Sequence, residues 1–163
     1  MATITSNPSN ALAGDVPVPG DKSLSHRALM IGASAVGETE ITGLLGAEDV
    51  MATLNALRAL GIEISQDTDS SGAEPVWRLW GRGVGGLAEP ASVLDLGNSG
   101  TGARLLMGLL ASHPFNAVIT GDASLRERPM ARITEPLSRM GASFTARDGE
   151  LLPITVHGSD RLR

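Results

Sequence analysis

The stretch Gly20-Asp21-Lys22-Ser23-Leu24-Ser25-His26-Arg27-Ala28-Leu29-Met30-Ile31 opens on a glycine, carries polar and charged side chains in its first turns, and then becomes apolar. A second stretch, Gly97-Asn98-Ser99-Gly100-Thr101-Gly102-Ala103-Arg104-Leu105-Leu106-Met107, does the same. Each predicts a glycine turn leading into an apolar helix, over about 23–35 and about 100–112. Arg27 and Arg104 are 77 residues apart, Ile41-Thr42-Gly43 recurs 78 residues on as Ile119-Thr120-Gly121, and Leu60-Gly61 recurs 80 residues on as Met140-Gly141. Landmarks that drift by only three residues predict a duplicated unit.

Outward from those corners, both units predict the order β-α-β-α-β-β. A short strand precedes each corner, at about Val16 to Val18 and about Val93 to Leu96. Both corner helices are apolar nearly all round, which predicts burial. A strand follows each, Thr39 to Thr42 and Ala117 to Thr120. Next comes an amphipathic helix with the stripe Val50, Leu54, Leu57, and its counterpart with Met130, Ile133, Leu137, Met140. Glu48 and Asp49 suit the first turn of the former, Pro129 the first position of the latter, and Gly61 and Gly141 the C′ positions. Pro136 is expected to bend the second. A hairpin closes each unit: Ile62 to Ser65 with Val76 to Trp80, and Ser143 to Arg147 with Ile154 to His157, the latter turning at Asp148-Gly149. Residues 1–13 read as a loose lead-in, 14–163 as one incomplete domain, with unit one at about 14–83 and unit two at about 91–158. Residues 67–75 and 81–90 read as polar or glycine-rich connections.

Composition narrows the chemistry. The 163 residues contain no Cys, which excludes disulfides and thiolate catalysis, and permits the cytoplasmic location expected here. No apolar run approaches a membrane span. A net charge of −5 argues against nucleic acid as a partner. An anionic ligand therefore needs a local cluster of Lys and Arg.

The corners offer one. At the first, Lys22 sits at a helix start, where backbone N–H groups favour an anion; Ser23 adds a hydroxyl and Arg27 lies one turn on. Asp21 separates Gly20 from Lys22, so the stretch is not a nucleotide P-loop. Gly97-Asn98-Ser99-Gly100-Thr101-Gly102 is not a dinucleotide fingerprint either. Taken singly, each corner reads equally as a capped helix with a solvated Lys or as a plain glycine turn. A third group, Gly121 to Met130, puts Arg128 directly before the helix expected at Pro129. Arg126 and Arg132 read as surface charges with Glu127 as a local partner, and Arg104 as a structural residue paired with an acid. His26, His113 and His157 lack metal-ligand spacing, and no Ser-His-Asp triad or carboxylate pair can be assembled.

Together, Pro19 to Arg27, Leu96 to Thr101 and Gly121 to Met130 resemble the enolpyruvyl transferase family, and most closely its 5-enolpyruvylshikimate-3-phosphate synthases. The similarity runs from Gly14 onward and corresponds to their N-terminal part. It implies an α/β (α+β) fold of repeated β-α-β-α-β-β units, an inside-out α/β barrel, with two of six units present. It implies transfer of the enolpyruvyl group of phosphoenolpyruvate to the 5-hydroxyl of shikimate 3-phosphate, in aromatic amino-acid biosynthesis, with no metal or organic cofactor. Carried over by motif, Lys22 touches both ligands, Ser23 and Arg27 hold shikimate 3-phosphate, and Gly100 and Arg128 meet phosphoenolpyruvate. Gly100 is where the family senses glyphosate; glycine there favours sensitivity, while Leu105 stands where many sensitive members have Pro. Acidic proton-transfer residues and further cations lie in the family's other units. The chain alone is therefore expected to be inactive, to expose apolar surface where the next unit belongs, and to need the missing remainder of the enzyme, whether on the same or a separate chain. Complete members are usually monomers.

Three other readings compete with this one. A UDP-N-acetylglucosamine enolpyruvyl transferase normally has Lys-Asn where this chain has Lys22-Ser23, and a loop Cys. An RNA-terminal cyclase relative is disfavoured by the acidic charge. A non-catalytic or split-enzyme module is separated from an enzyme part by ligand titration.

Overall fold

The structure, a computed structural model, describes residues 3–8, 11, 13–67 and 75–162. Lys22–Ser34 forms α1, Val36–Ile41 forms β1, Glu48–Ala59 forms α2, and Glu63–Asp67 and Val76–Arg82 form β2 and β3. The second half contains β4 (Leu94–Asp95), α3 (Gly100–Ala111), β5 (Asn116–Thr120), α4 (Ala123–Arg126), α5 (Ala131–Arg139), β6 (Ser143–Arg147) and β7 (Leu151–His157).

The strands make two sheets, ordered β1-β3-β2 and β4-β5-β7-β6. Matching β1 with β5, β2 with β6 and β3 with β7 superposes the two orders, so the repeat seen in the residues is also a repeat of topology. All pairings are antiparallel except β4 with β5. The second hairpin turns at Asp148 and Gly149, both at positive φ, as a tight hairpin requires. Most of the 67–75 connection lies outside the described residues.

The stripe on α2 is buried as its spacing predicts: Val50, Leu54 and Leu57 are all at most 1% exposed. Each such side chain contributes roughly 1.5–3 kcal/mol by leaving water. Gly61 and Gly141 take positive φ just past α2 and α5, where a Cβ would be strained. The core joins both halves into one cluster, from Leu29 and Leu79 to Leu106 and Ile154.

Four local expectations are corrected. Residues 16–18 form no strand, and Val16 and Val18 are each 81% exposed. Pro17 and Pro19 remove backbone donors from this segment, so a ladder cannot be continued there. The apolar corner helices are not wholly buried: Leu24 and Ile31 on α1 are each 68% exposed. On α3 the face with Ala103, Leu106, Met107 and Leu110 is buried, while Leu105 and Leu109 are only partly covered. The stripe on the second amphipathic helix is also covered unevenly. Met130 is fully buried, Ile133 and Leu137 are partly so, and Met140 is 46% exposed. Finally, that helix begins at Ala131 rather than Pro129, with Met130 as its N-cap, and α4 forms upstream. Asp122 starts α4 by accepting a hydrogen bond from the Leu125 amide at 2.7 Å.

No helix among the described residues is long and apolar enough to cross a membrane.

Candidate functional site

Three helix starts meet at one end of the molecule. α1 and α2 run parallel: Lys22 pairs with Asp49, and four residues on, His26 Nδ1 lies 2.8 Å from Thr53 Oγ1. α3 joins them through the backbone of its first turn. A Cβ placed on Gly102 would lie 2.6 Å from Thr53 Oγ1 and 2.6 Å from Ser99 Oγ. Glycine at 102 is therefore a requirement of close approach, not of backbone conformation.

At the α1 corner Asp21 is the cap, accepting from the Leu24 amide at 2.7 Å. Ser23 is thus not the cap, and its hydroxyl sits exposed beside Lys22. Arg27 reaches back to the Ser23 carbonyl at 3.0 Å, which holds its guanidinium over the first turn. The same Arg27 borders a groove between α1 and α3 with Met30, Ile31, Leu105 and Leu109. Ser25 ties the corner to the next loop, donating to the Asp21 carbonyl and accepting from the Leu45 amide.

At the α3 corner Ser99 caps the helix by accepting from the Gly102 amide at 3.2 Å. A Cβ on Gly100 would lie 3.0 Å from Arg104 Nη1 and 3.2 Å from Arg128 Nη1. The Arg128 guanidinium therefore borders the space that Gly100 leaves open. Arg128 follows α4 instead of directly preceding a helix, and its orientation comes from side chains. It donates to Asn98 Oδ1 at 2.6 Å and to Ser124 Oγ at 3.2 Å. Asn98 in turn donates to Asp122 at 2.7 Å. That bond, then the Leu125 amide, and more weakly the Arg128 and Ser124 groups, hold the Asp122 carboxyl below its ordinary value.

Arg104 corrects the expectation of an acidic partner. Its guanidinium donates to the carbonyls of Gly100 at 3.4 Å and Pro129 at 3.2 Å. Its Nε is buried and finds no hydrogen-bond partner among the described residues. Burial first, then the neighbouring charges of Arg132 and Arg128, lower its pKa. Among the described residues, Arg27, Arg104 and Arg128 form no ion pair with a carboxylate. Arg104 and Arg128 are neighbouring like charges without an ion-pair partner, an arrangement that favours an anion. Glu127 pairs with Arg147 at 3.4 Å and not with Arg126, because the β6–β7 hairpin brings Arg147 across to it.

Lys22 and Arg128 belong to one continuous set of contacts: Lys22 to Asp49, one turn of α2 to Thr53, Thr53 to Gly102, then Gly100 to Arg128. Sequence reasoning had singled out both ends of that set and missed its middle. Asp49 was legible only as a first-turn acid and Asn98 only as part of a glycine turn, and nothing in the spacing singled out Thr53. His26, set aside for lack of metal spacing, is fully buried at the junction. Burial most of all, then Lys22 and more weakly Arg27, lower its pKa against the opposing charge of Asp49. No group of three His, Cys, Asp or Glu able to hold a metal occurs among the described residues.

The 3-phosphoshikimate 1-carboxyvinyltransferase of Paramagnetospirillum magneticum is 64% identical over 91% of this chain and 32% of its own length. That of Rhodospirillum rubrum is 60% identical over 93% of this chain and 33% of its length. An EPSP synthase structure from Acinetobacter baumannii superposes with a TM-score of 0.82 at 45% identity, covering 92% of this chain and 33% of that one. The chain thus spans about a third of the length of the relatives it matches. The sequence model of EPSP synthase (3-phosphoshikimate 1-carboxyvinyltransferase) matches residues 6–163, and the chain belongs to that family.

Proposed function

We propose that these residues form one wall of an enolpyruvyl transferase site, in which shikimate 3-phosphate and phosphoenolpyruvate meet across the two corners. Lys22 lies between the ligands, Ser23 and Arg27 hold shikimate 3-phosphate, and Gly100 with Arg128 receives phosphoenolpyruvate. The observation that carries this reading is the unbroken set of contacts from Lys22 to Arg128 at one end of three helices. Both ligands are multiply anionic, so bringing them together requires fixed positive charge on each side. Each charge-assisted contact is worth roughly 1.5–3 kcal/mol.

In the reaction the methylene carbon of phosphoenolpyruvate gains a proton and the 5-hydroxyl oxygen attacks the adjacent carbon. The tetrahedral adduct then loses inorganic phosphate and a proton. Arg128 and Lys22 neutralise the carboxylate and phosphate charges that would otherwise repel each other during approach. Gly100, lacking a side chain, leaves the planar enol room beside the Arg128 guanidinium. The proton donor is assigned to the other two thirds of the relatives' length, so the 163-residue chain binds without turning over. The reading places the protein in the cytoplasm.

Titration of the purified chain with shikimate 3-phosphate tests this. Expected is weak binding that falls with added salt and is lost in Lys22→Ala. Absence of binding at millimolar ligand, or turnover by the chain alone, overturns the reading.

A further inference from the structure

One buried side chain lies against both corners. Thr53 is fully buried on α2. Its Oγ1 lies 2.8 Å from His26 Nδ1 on α1, and it stands against the backbone of Gly102 on α3. One turn back on α2, Asp49 holds Lys22, and the Thr53 hydroxyl faces the Asp49 carbonyl at 3.4 Å. We propose that Thr53 and His26 are a positioning pair that sets the separation of the Lys22 corner from the Gly100 corner, so that occupancy of one is felt at the other.

The hydrogen-bond inventory gives the pair a direction. His26 Nε2 is buried and has no partner among the described residues. An unpartnered lone pair is better tolerated than an unpartnered N–H, which assigns the proton to Nδ1. Nδ1–H then donates to Thr53 Oγ1, and the hydroxyl donates to the Asp49 carbonyl. Burial and the charges of Lys22 and Arg27 keep the imidazole neutral near pH 7 against the single opposing carboxylate of Asp49. The ring is thus a fixed donor wedged between α1 and α2, and the hydroxyl it holds is the atom that Gly102 packs on. Any larger residue at 102 would press on that hydroxyl, and any apolar residue at 53 would release the ring.

This inference rests on the ligand assignment above, and the experiment separates the two. The 163-residue chain, Thr53→Val and Thr53→Ser are compared by two measurements. Ligand-free nitrogen NMR reads the His26 tautomer and the amides of residues 22–26 and 100–102. Titration reads phosphoenolpyruvate affinity with and without saturating shikimate 3-phosphate, and the ratio is the coupling factor. Expected in the parent is an Nδ1–H imidazole and a coupling factor of about 5-fold or more. Thr53→Val should lose the tautomer preference, move amides at both corners and bring the factor close to one, leaving each ligand's separate affinity within about 2-fold, because Thr53 is not among the residues assigned to either ligand. Thr53→Ser, which keeps the hydroxyl, should match the parent. A folded Thr53→Val with unchanged coupling overturns the inference, as does a Thr53→Ser that loses it. If Thr53→Val does not fold, Thr53→Ser decides. If the parent binds neither ligand, the site assignment falls by itself. The positioning claim is then decided by the ligand-free spectra, where amide movement at one corner alone overturns it.

Discussion

Two glycines on α3 that look interchangeable in the sequence should respond oppositely to alanine. A Cβ at Gly102 would lie 2.6 Å from Ser99 Oγ and 2.6 Å from Thr53 Oγ1, both on fully buried residues. Neither oxygen can retreat freely: the first caps the helix and the second is bonded to His26. Overpacking of this kind costs about 1–3 kcal/mol, and displacement of the Ser99 cap about 1 kcal/mol more. Alanine's better helix propensity returns about 1 kcal/mol. The net is a destabilisation of about 1–3 kcal/mol; its middle value lowers Tm by about 4–8 °C in a chain of this size. At Gly100 the nearest atoms are the ends of two long side chains, Arg104 Nη1 at 3.0 Å and Arg128 Nη1 at 3.2 Å. Those ends can shift by a few tenths of an ångström, so Gly100→Ala should stay within about 0.5 kcal/mol of the parent. It should instead weaken phosphoenolpyruvate while sparing shikimate 3-phosphate. Urea and thermal unfolding, with calorimetric titration of each ligand, read both effects. A Gly102→Ala chain as stable as the parent would refute the close approach of α3 to Thr53.

Other changes test the charged groups. Lys22→Ala and Arg128→Ala in the complete enzyme should each reduce kcat/KM by at least about 10-fold, the loss of one charge-assisted contact; near-normal steady-state kinetics for either removes that residue from the site. Asn98→Ala should free Arg128 from its relay to Asp122 and weaken phosphoenolpyruvate by about 10-fold without affecting shikimate 3-phosphate, as separate titrations would show. Two groups make acid destabilising, because both are held below their ordinary pKa in the fold. Such a group's contribution is complete above its unfolded pKa and is lost as pH falls through its folded one. His26 should therefore erode stability as pH drops below the ordinary imidazole range, and Asp122 only below the ordinary carboxylate range. His26→Asn should flatten the first limb and Asp122→Asn the second, in urea unfolding followed against pH. The exposed Leu24 and Ile31 predict self-association, read by sedimentation and reduced in Leu24→Lys/Ile31→Lys.

How much was visible beforehand depends on how far apart the deciding atoms lie in the chain. The α2 stripe, the glycine stops at 61 and 141 and the Asp148-Gly149 turn are local patterns of spacing or backbone conformation, and they stand where the residues put them. The alternating prolines at 17 and 19 were equally local, and weighing them would have argued against the strand at 16–18. Leu24 and Ile31 could not be assigned to solvent from an apolar helix, since periodicity gives a face and not what covers it. Arg104 was expected to find an acid because buried guanidinium groups usually do; its partners are carbonyls, which no side-chain inventory reveals.

The residues by themselves determined the duplicated unit, the two corners and the family, because hydrophobic period and glycine placement are written within a few positions. Only the tertiary structure decided that Asp49 holds Lys22, that Asn98 carries Arg128, and that Thr53 joins α1 to α3. Those pairs are 27 to 49 residues apart, and the packing of helices against helices and of β4 against β5, which has no signature in the spacing, is what brings them together.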